Sequence, residues 1–259
     1  MSSTVYVDRG SPVHRLNPMT KLVAMLCVIV IVFALPVWWV SGLVLAVAII
    51  PVAVISRCGR TLSRISATIL LPILVVLFVV QGLTFPGGKT ALVSWGVFTV
   101  TSEGLHFALG IGLRLVCLVL ASVLLVLTTH PGDLMSALTA RGMSPKFGYI
   151  ISSTLQLIPA FRDRANAILL AQQARGLSVK GSPLRRIKIM MPLLGPLILG
   201  MFTDVEDRST AMEARGFGST ARRTSLVPVP DSSVQRVSRW VMPAVSLAVI
   251  VVPFATGAL

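Results

Sequence analysis

From Leu22 to Ile55 the chain carries no charged side chain, and this run sets the solvent in which the protein must fold. A helix needs about 20 apolar residues to cross the hydrocarbon core of a bilayer, so the run is too long for one crossing. Pro36 offers a break, and the pattern predicts two spans, near 21–35 and 38–55. Further apolar stretches predict spans near 66–84, 104–128 and 240–259, with Pro86-Gly87-Gly88 ending the third. Composition agrees: 54% of the 259 residues are hydrophobic and 12% are charged, against about 25% charged in a soluble domain. The fold class that follows is all-α, a polytopic membrane protein with about five transmembrane helices and the lipid bilayer as a partner.

The few charges are unevenly placed. Arg9, Arg15 and Lys21 precede the first span, and Arg57, Arg60 and Arg64 follow the second. Residues 130–239 hold fifteen Lys and Arg against seven Asp and Glu, a net of +8. Lys and Arg concentrate on the cytoplasmic side of membrane proteins, which predicts a cytoplasmic N-terminus, 56–65 loop and 130–239 region. The net charge of +14 is explained in the same way. No aromatic-studded basic patch accompanies it, so no nucleic-acid partner is expected. Cys27, Cys58 and Cys117 are scattered and support neither a disulfide framework nor a metal site. The polar leader before Leu22 does not resemble a cleavable signal.

Three segments result: an N-terminal transmembrane bundle over 1–129, a charged region over 130–239 and a C-terminal transmembrane helix over 240–259. Within the middle segment two fifteen-residue apolar stretches recur, Phe147–Phe161 and Ile189–Thr203. Fifteen residues is short for a crossing. If both crossed, 162–188 would face outside with seven cations and one acid, Asp163. The whole region is therefore predicted to be a cytoplasmic platform with its apolar faces against headgroups or the spanning helices.

Each stretch leads to an Ala-Arg-Gly triplet: Ala174-Arg175-Gly176, and Ala214-Arg215-Gly216 forty residues on (215 − 175 = 40). Ala171 and Ala211 stand three residues before the triplet alanines, leaving a narrow helix face that another surface can approach. Glycine just past a helix is a common C-terminal stop, so each arginine is predicted at a helix tip. Ala140-Arg141-Gly142 has no matching apolar stretch before it and is read as coincidental.

Arg114 lies in the fourth span, about 13 Å of helix rise from Leu105. An intramembrane cation is costly and faces a protein interior or a partner. A structural role, bonded to backbone carbonyls, and a functional one both remain open from the sequence. Pro131 and Asp133 mark a helix start. Pro86-Gly87-Gly88-Lys89-Thr90 fails as a phosphate loop, since the pattern needs glycine where Leu83 stands. His14, His106 and His130 are isolated, so no enzyme constellation and no resident metal or cofactor are expected.

Taken together, these residues resemble the transmembrane T component of energy-coupling factor transporters, the prokaryotic importers of vitamins and transition metals. The lead Ser11-Pro12-Val13-His14-Arg15-Leu16-Asn17-Pro18-Met19-Thr20-Lys21-Leu22 looks like that family's N-terminal signature. Leu113-Arg114-Leu115, Thr128-Thr129 and Pro131-x-Asp133-Leu134 resemble its fourth-span segment, with Gly132 where the family often has an acid. The paired triplets are its hallmark. The resemblance implies a non-catalytic subunit of the prokaryotic cell membrane that transmits ATP-driven motion. Its partners would be two ABC-type ATPase subunits, which bind the ATP, and a small membrane S component, which binds the substrate. Ala174, Arg175, Gly176, Ala214, Arg215 and Gly216 would make the ATPase contacts. A membrane enzyme acting on an anionic lipid and a stand-alone carrier are the alternatives.

The charge pattern generates a topological prediction. A cysteine replacing Gly87 should react from outside the cell with an impermeant thiol reagent, and one replacing Lys180 should not. Equal labelling of both would sink the cytoplasmic placement of 130–239.

Overall fold

The computed structural model of the chain describes residues 11–35, 37–84, 91–95, 98–176, 183–219 and 231–256. Pro36, Lys180 and the segment Pro86–Thr90 lie outside them. The described residues divide into two compact units, 11–138 with 231–256, and 139–219.

In the first unit, α1 (Pro18–Ala34) begins where the sequence places its strongest start signal. The Asn17 side chain accepts a hydrogen bond from the Met19 N–H (3.0 Å), and Pro18 occupies the first turn. The next crossing is assembled from α2 (Trp38–Val44), a π-helical turn (Leu45–Ile49) and α3 (Ile50–Ile55). Pro51 explains the wide turn. It has no N–H to donate and its ring crowds the carbonyl four residues back, and the Ile50 N–H reaches back five residues to Leu45 O instead. Then come α4 (Gly59–Thr84), the strands β1 (Ala91–Trp95) and β2 (Phe98–Thr101), α5 (Ser102–Thr128) and α6 (Pro131–Thr139). The last helix of this unit is α9 (Ser233–Thr256).

Among the described residues, four stretches are long and apolar enough to cross a membrane: Trp38–Ile55, Gly59–Gly82, Ser102–Thr128 and Ser233–Pro253. Pro18–Ala34, at 17 residues, is a shorter apolar helix, at the lower edge of the crossing range. Two helices start earlier than hydropathy indicates. α4 begins at Gly59 rather than near 66, and α9 at Ser233 rather than near 240. Apolarity marks the part a membrane would cover, whereas backbone hydrogen bonding carries a helix on through Arg60 and Arg64, or Arg236 and Arg239. The antiparallel β1–β2 hairpin, with Trp95 paired to Phe98, was not anticipated from the sequence. It occupies a short stretch rich in β-branched and aromatic residues, the usual composition of strands.

α5 is the axis of this unit. Its Cys117 and Ala121 join Val32, Leu35, Val40, Val44 and Ile49 in one buried cluster. Its Leu124 and Leu127 join Ala53, Cys58 and Leu62 in a second. Gly104, Ala108 and Gly112 are buried at four-residue spacing on α5, the small-residue stripe that lets membrane helices approach closely. A Cβ on Gly112 would come within 3.2 Å of Leu74 on α4.

A polar junction closes the bundle at the start of α1. Lys21 Nζ donates to Thr128 O (2.7 Å), the carbonyl of the last residue of α5, and to His14 O (3.1 Å). Ser11 Oγ and His14 Nδ1 are 2.7 Å apart within the lead. From α9, Gln235 accepts the Asn17 N–H (2.9 Å), and buried Arg239 forks onto both oxygens of Asp231 (2.7 Å each) while reaching Thr20 Oγ1 (3.3 Å). The lead that the sequence presents only as a polar stretch before the first span is therefore a clasp on three helices.

The second unit consists of two long helices, α7 (Pro145–Ala174, 30 residues) and α8 (Pro183–Ala214, 32 residues). Each is about 45 Å long. The apolar stretches 147–161 and 189–203 are parts of these helices rather than separate elements, and α7 continues through Pro159.

Arg239→Met would leave the Asp231 carboxylate without the guanidinium that neutralises it. Breaking a fully buried pair from one side costs about 3–5 kcal/mol; here Arg239 is 5% exposed but the Asp231 side chain is 28% exposed, so water reaches the carboxylate left behind. Unfolding in detergent should show a loss smaller than that range, about 1–2 kcal/mol, with Arg239→Met/Asp231→Leu recovering part of it. An unchanged midpoint in the single variant would remove the clasp from the stability argument.

Candidate functional site

The two triplets have the same local build. Ala174 and Ala214 are the last residues of α7 and α8, and Arg175 and Arg215 are the caps. The Arg175 N–H donates to Ala171 O and Gln172 O, and the Arg215 N–H to Ala211 O and Met212 O. The Gly176 N–H reaches Gln173 O and the Gly216 N–H reaches Glu213 O, each at 2.9 Å. Both glycines lie in the left-handed region, at φ +92° and +70°, where a Cβ is disfavoured. At the second tip the Phe217 N–H returns to Met212 O (2.9 Å), completing the two-bond glycine cap. The Phe217 ring then packs against Tyr149 on α7, with centroids 5.2 Å apart. All six triplet residues are exposed, as are Ala171 and Ala211. Each tip thus presents a guanidinium beside a surface of small side chains.

The third triplet shares the glycine turn, with Gly142 at φ +104°. It also shares the alanine spacing, since Ala137 stands three before Ala140. Two features separate it. α6 has nine residues and ends at Thr139, ahead of the alanine, and Ala137 is buried where Ala171 and Ala211 are exposed.

α7 and α8 meet at a forked ion pair that sequence reasoning did not single out. Arg164 donates from Nη1 to Asp204 Oδ2 (2.7 Å) and from Nη2 to Oδ1 (3.1 Å). The hydrogen bond from Arg164 holds the Asp204 carboxyl below the usual carboxylate range. The sign follows directly: whatever the pair contributes is present above the ordinary carboxylate pKa and is lost as pH falls through the lowered folded value. The pair is partly exposed and solvent-screened. Both helices also carry large exposed apolar residues at helical spacing. On α7 these are Phe147, Ile151, Leu155 and Ile158, and on α8 Met191, Leu194, Ile198, Phe202 and Val205. Such faces call for lipid or a partner.

Arg114 is half-buried on α5, and its Nε is buried without a hydrogen-bond partner. It lines a cavity of about 500 Å³ with Trp38, Ser102, Glu103, His106, Phe107, Gly110 and Ile111. Glu103, His106, Phe107, Gly110 and Arg114 recur at helical spacing on one face. Helical side chains lean toward the N-terminus, so the Arg114 stem runs toward Ser102 and away from the middle of α5. Glu103, which the predicted span boundary at 104 leaves outside, and His106, which it includes, line the same cavity as Arg114. Among the described residues, no three His, Cys, Asp or Glu side chains converge as a metal centre would require.

Comparison with known proteins points one way. A family model described as "CbiQ: Cobalt transport protein" matches residues 9–226. An energy-coupling factor transporter transmembrane protein EcfT of Limosilactobacillus fermentum is 33% identical over 260 residues, covering 95% of this chain and 92% of the relative. Proteins of the same name are 34% identical in Brevibacillus brevis (85% and 86% covered) and 34% identical in Heliobacterium modesticaldum (86% of each).

An intramembrane arginine with an unpartnered Nε is kept at a cost to stability. Arg114→Leu should therefore insert normally and match or exceed the wild-type melting temperature in detergent, yet reduce uptake. Reduced stability would assign Arg114 a structural role, and wild-type uptake would remove the functional one.

Proposed function

Because this chain belongs to the CbiQ cobalt-transport family, together with the transmembrane proteins of energy-coupling factor transporters, we propose that it is the subunit that couples ATP-driven motion to substrate movement across the membrane. The chemistry lies elsewhere: two ATPase subunits bind and hydrolyse ATP, and a small S component binds the vitamin or metal ion. This chain works as a lever between them. The observation that supports this reading best is the pair of exposed, identically capped arginine tips at the ends of two long helices.

The geometry of the platform supports the following sequence of steps. Each ATPase takes one tip, with its own carboxylates receiving Arg175 or Arg215 and its surface lying on the alanine face beside each. Closure of the ATPases on ATP displaces the tips, and a helix of 30 or 32 residues transmits that displacement along its length. The exposed apolar residues of α7 and α8 carry the S component, which shares the membrane with the bundle. The positive-inside pattern supports a cytoplasmic lead and platform, on the side where the ATPases find ATP.

An exposed arginine with no partner tolerates replacement within about 0.5 kcal/mol. One that sits in a partner's acidic groove costs about 2–5 kcal/mol on truncation, because the opposing carboxylate is left desolvated and unpaired. Arg175→Glu and Arg215→Glu should each weaken ATPase capture in a pull-down and lower uptake, and the double variant should abolish uptake. Arg141→Glu should do much less. Equal sensitivity at Arg141 would overturn the assignment of two tips, and indifference at all three would overturn the coupling reading.

A further inference from the structure

Arg164 and Asp204 are forty residues apart (204 − 164 = 40), the same offset as Arg175 and Arg215 (215 − 175 = 40). Aligning the two triplets therefore aligns Arg164 with Asp204, and these are the two residues that touch. Contact between equivalent positions of two repeats is the signature of a two-fold axis, where a residue meets its own counterpart. The neighbouring positions agree. Phe161 and its counterpart Met201 line the same small cavity as Arg164 and Asp204. Ala160 and its counterpart Gly200 are both small, and a Cβ on Gly200 would come within 3.2 Å of Arg164 Nη1. Two identical charges on such an axis would repel each other. With a cation on one helix and an anion on the other, the self-contact becomes attractive and forked.

We propose that Arg164 and Asp204 form the pin on an internal pseudo-two-fold axis relating α7 to α8, and that this pin sets equal arms from the crossing to the two arginine tips. Eleven residues separate pin from tip on each helix (175 − 164 = 11; 215 − 204 = 11), about 16 Å of rise. Equal arms let one chain offer equivalent contacts to two like ATPase subunits. This rests on the coupling reading above. Arg164 and Asp204 are positioning residues in it, and their charges act on register rather than on a partner. A bidentate guanidinium–carboxylate fork fixes both the distance and the orientation of its two planes, which a single-point contact would not.

The test uses the purified full-length chain in lipid nanodiscs without ATPases. Cys27, Cys58 and Cys117 are replaced, and spin labels are placed at the equivalent exposed positions Gln173 and Glu213 (213 − 173 = 40). The parent should give a narrow distribution of label separations. Arg164→Asp, and more mildly Asp204→Asn, should shift or broaden it by about 5 Å, the rise of one helical turn. Arg164→Asp combined with Asp204→Arg should restore the parent distribution. The pin is overturned if both single variants keep the parent distribution or if the charge swap fails to restore it. Because no ATPase is present, that failure is separate from a failure of Arg175→Glu and Arg215→Glu to release the ATPases.

Discussion

The carbonyl of Thr128 ends the central helix of the bundle, and Lys21 Nζ donates a hydrogen bond to it at 2.7 Å. A helix end leaves carbonyls without intrahelical partners, and lipid offers none. One ammonium answers this need and binds His14 O as well, drawing the N-terminal lead across the end of α5. The same corner receives α9 through Gln235 and Arg239. The helix whose small residues and leucines build both buried clusters is thereby fixed at the end where the chain leaves for α6. Elsewhere the bundle presents large apolar side chains outward, among them Leu71 on α4, Val126 on α5 and Trp240 on α9, as a surface solvated by lipid must.

The other unit obeys different physics. α7 and α8 meet through a charged fork beside small residues, and apolar rows along both helices remain uncovered by the described residues of their own unit. A helix pair built for its own stability would turn those rows inward. Leaving them exposed, with a capped cation at each helix end, suits a lever whose faces and tips belong to other subunits. The long α-helix is well chosen for that work, since its backbone bonds run along the axis and resist stretching.

Much of this was legible in the residues. Apolar length located the crossings because lipid admits few charges, and Gly176 and Gly216 announced helix ends because the left-handed turn favours a residue without a Cβ. What remained hidden involved contacts between distant parts of the chain. Arg239 reads as one more basic residue before an apolar run, yet it is buried against Asp231 and Thr20. Lys21 reads as one more cation before the first span, yet it caps a helix that ends at residue 128. Arg114 stands open in the sequence between a structural and a functional role, and the start of α5 at Ser102 adds Glu103 to the cavity wall it shares with His106. The hairpin between α4 and α5 is short enough that its strand-forming composition was lost within a loop.

The sequence by itself determined the solvent, the helical class and the two repeated tips, because each depends on local features: the length of an uncharged run, or a residue type at a fixed offset from a helix end. Tertiary structure alone decided which polar groups meet. Arg164 and Asp204 are separated by forty positions of chain, and nothing in either neighbourhood names the other. Only the approach of α7 to α8 beside Gly200 brings guanidinium and carboxylate to 2.7 Å, because a pairwise attraction this short-ranged has no trace along the chain until folding closes the distance.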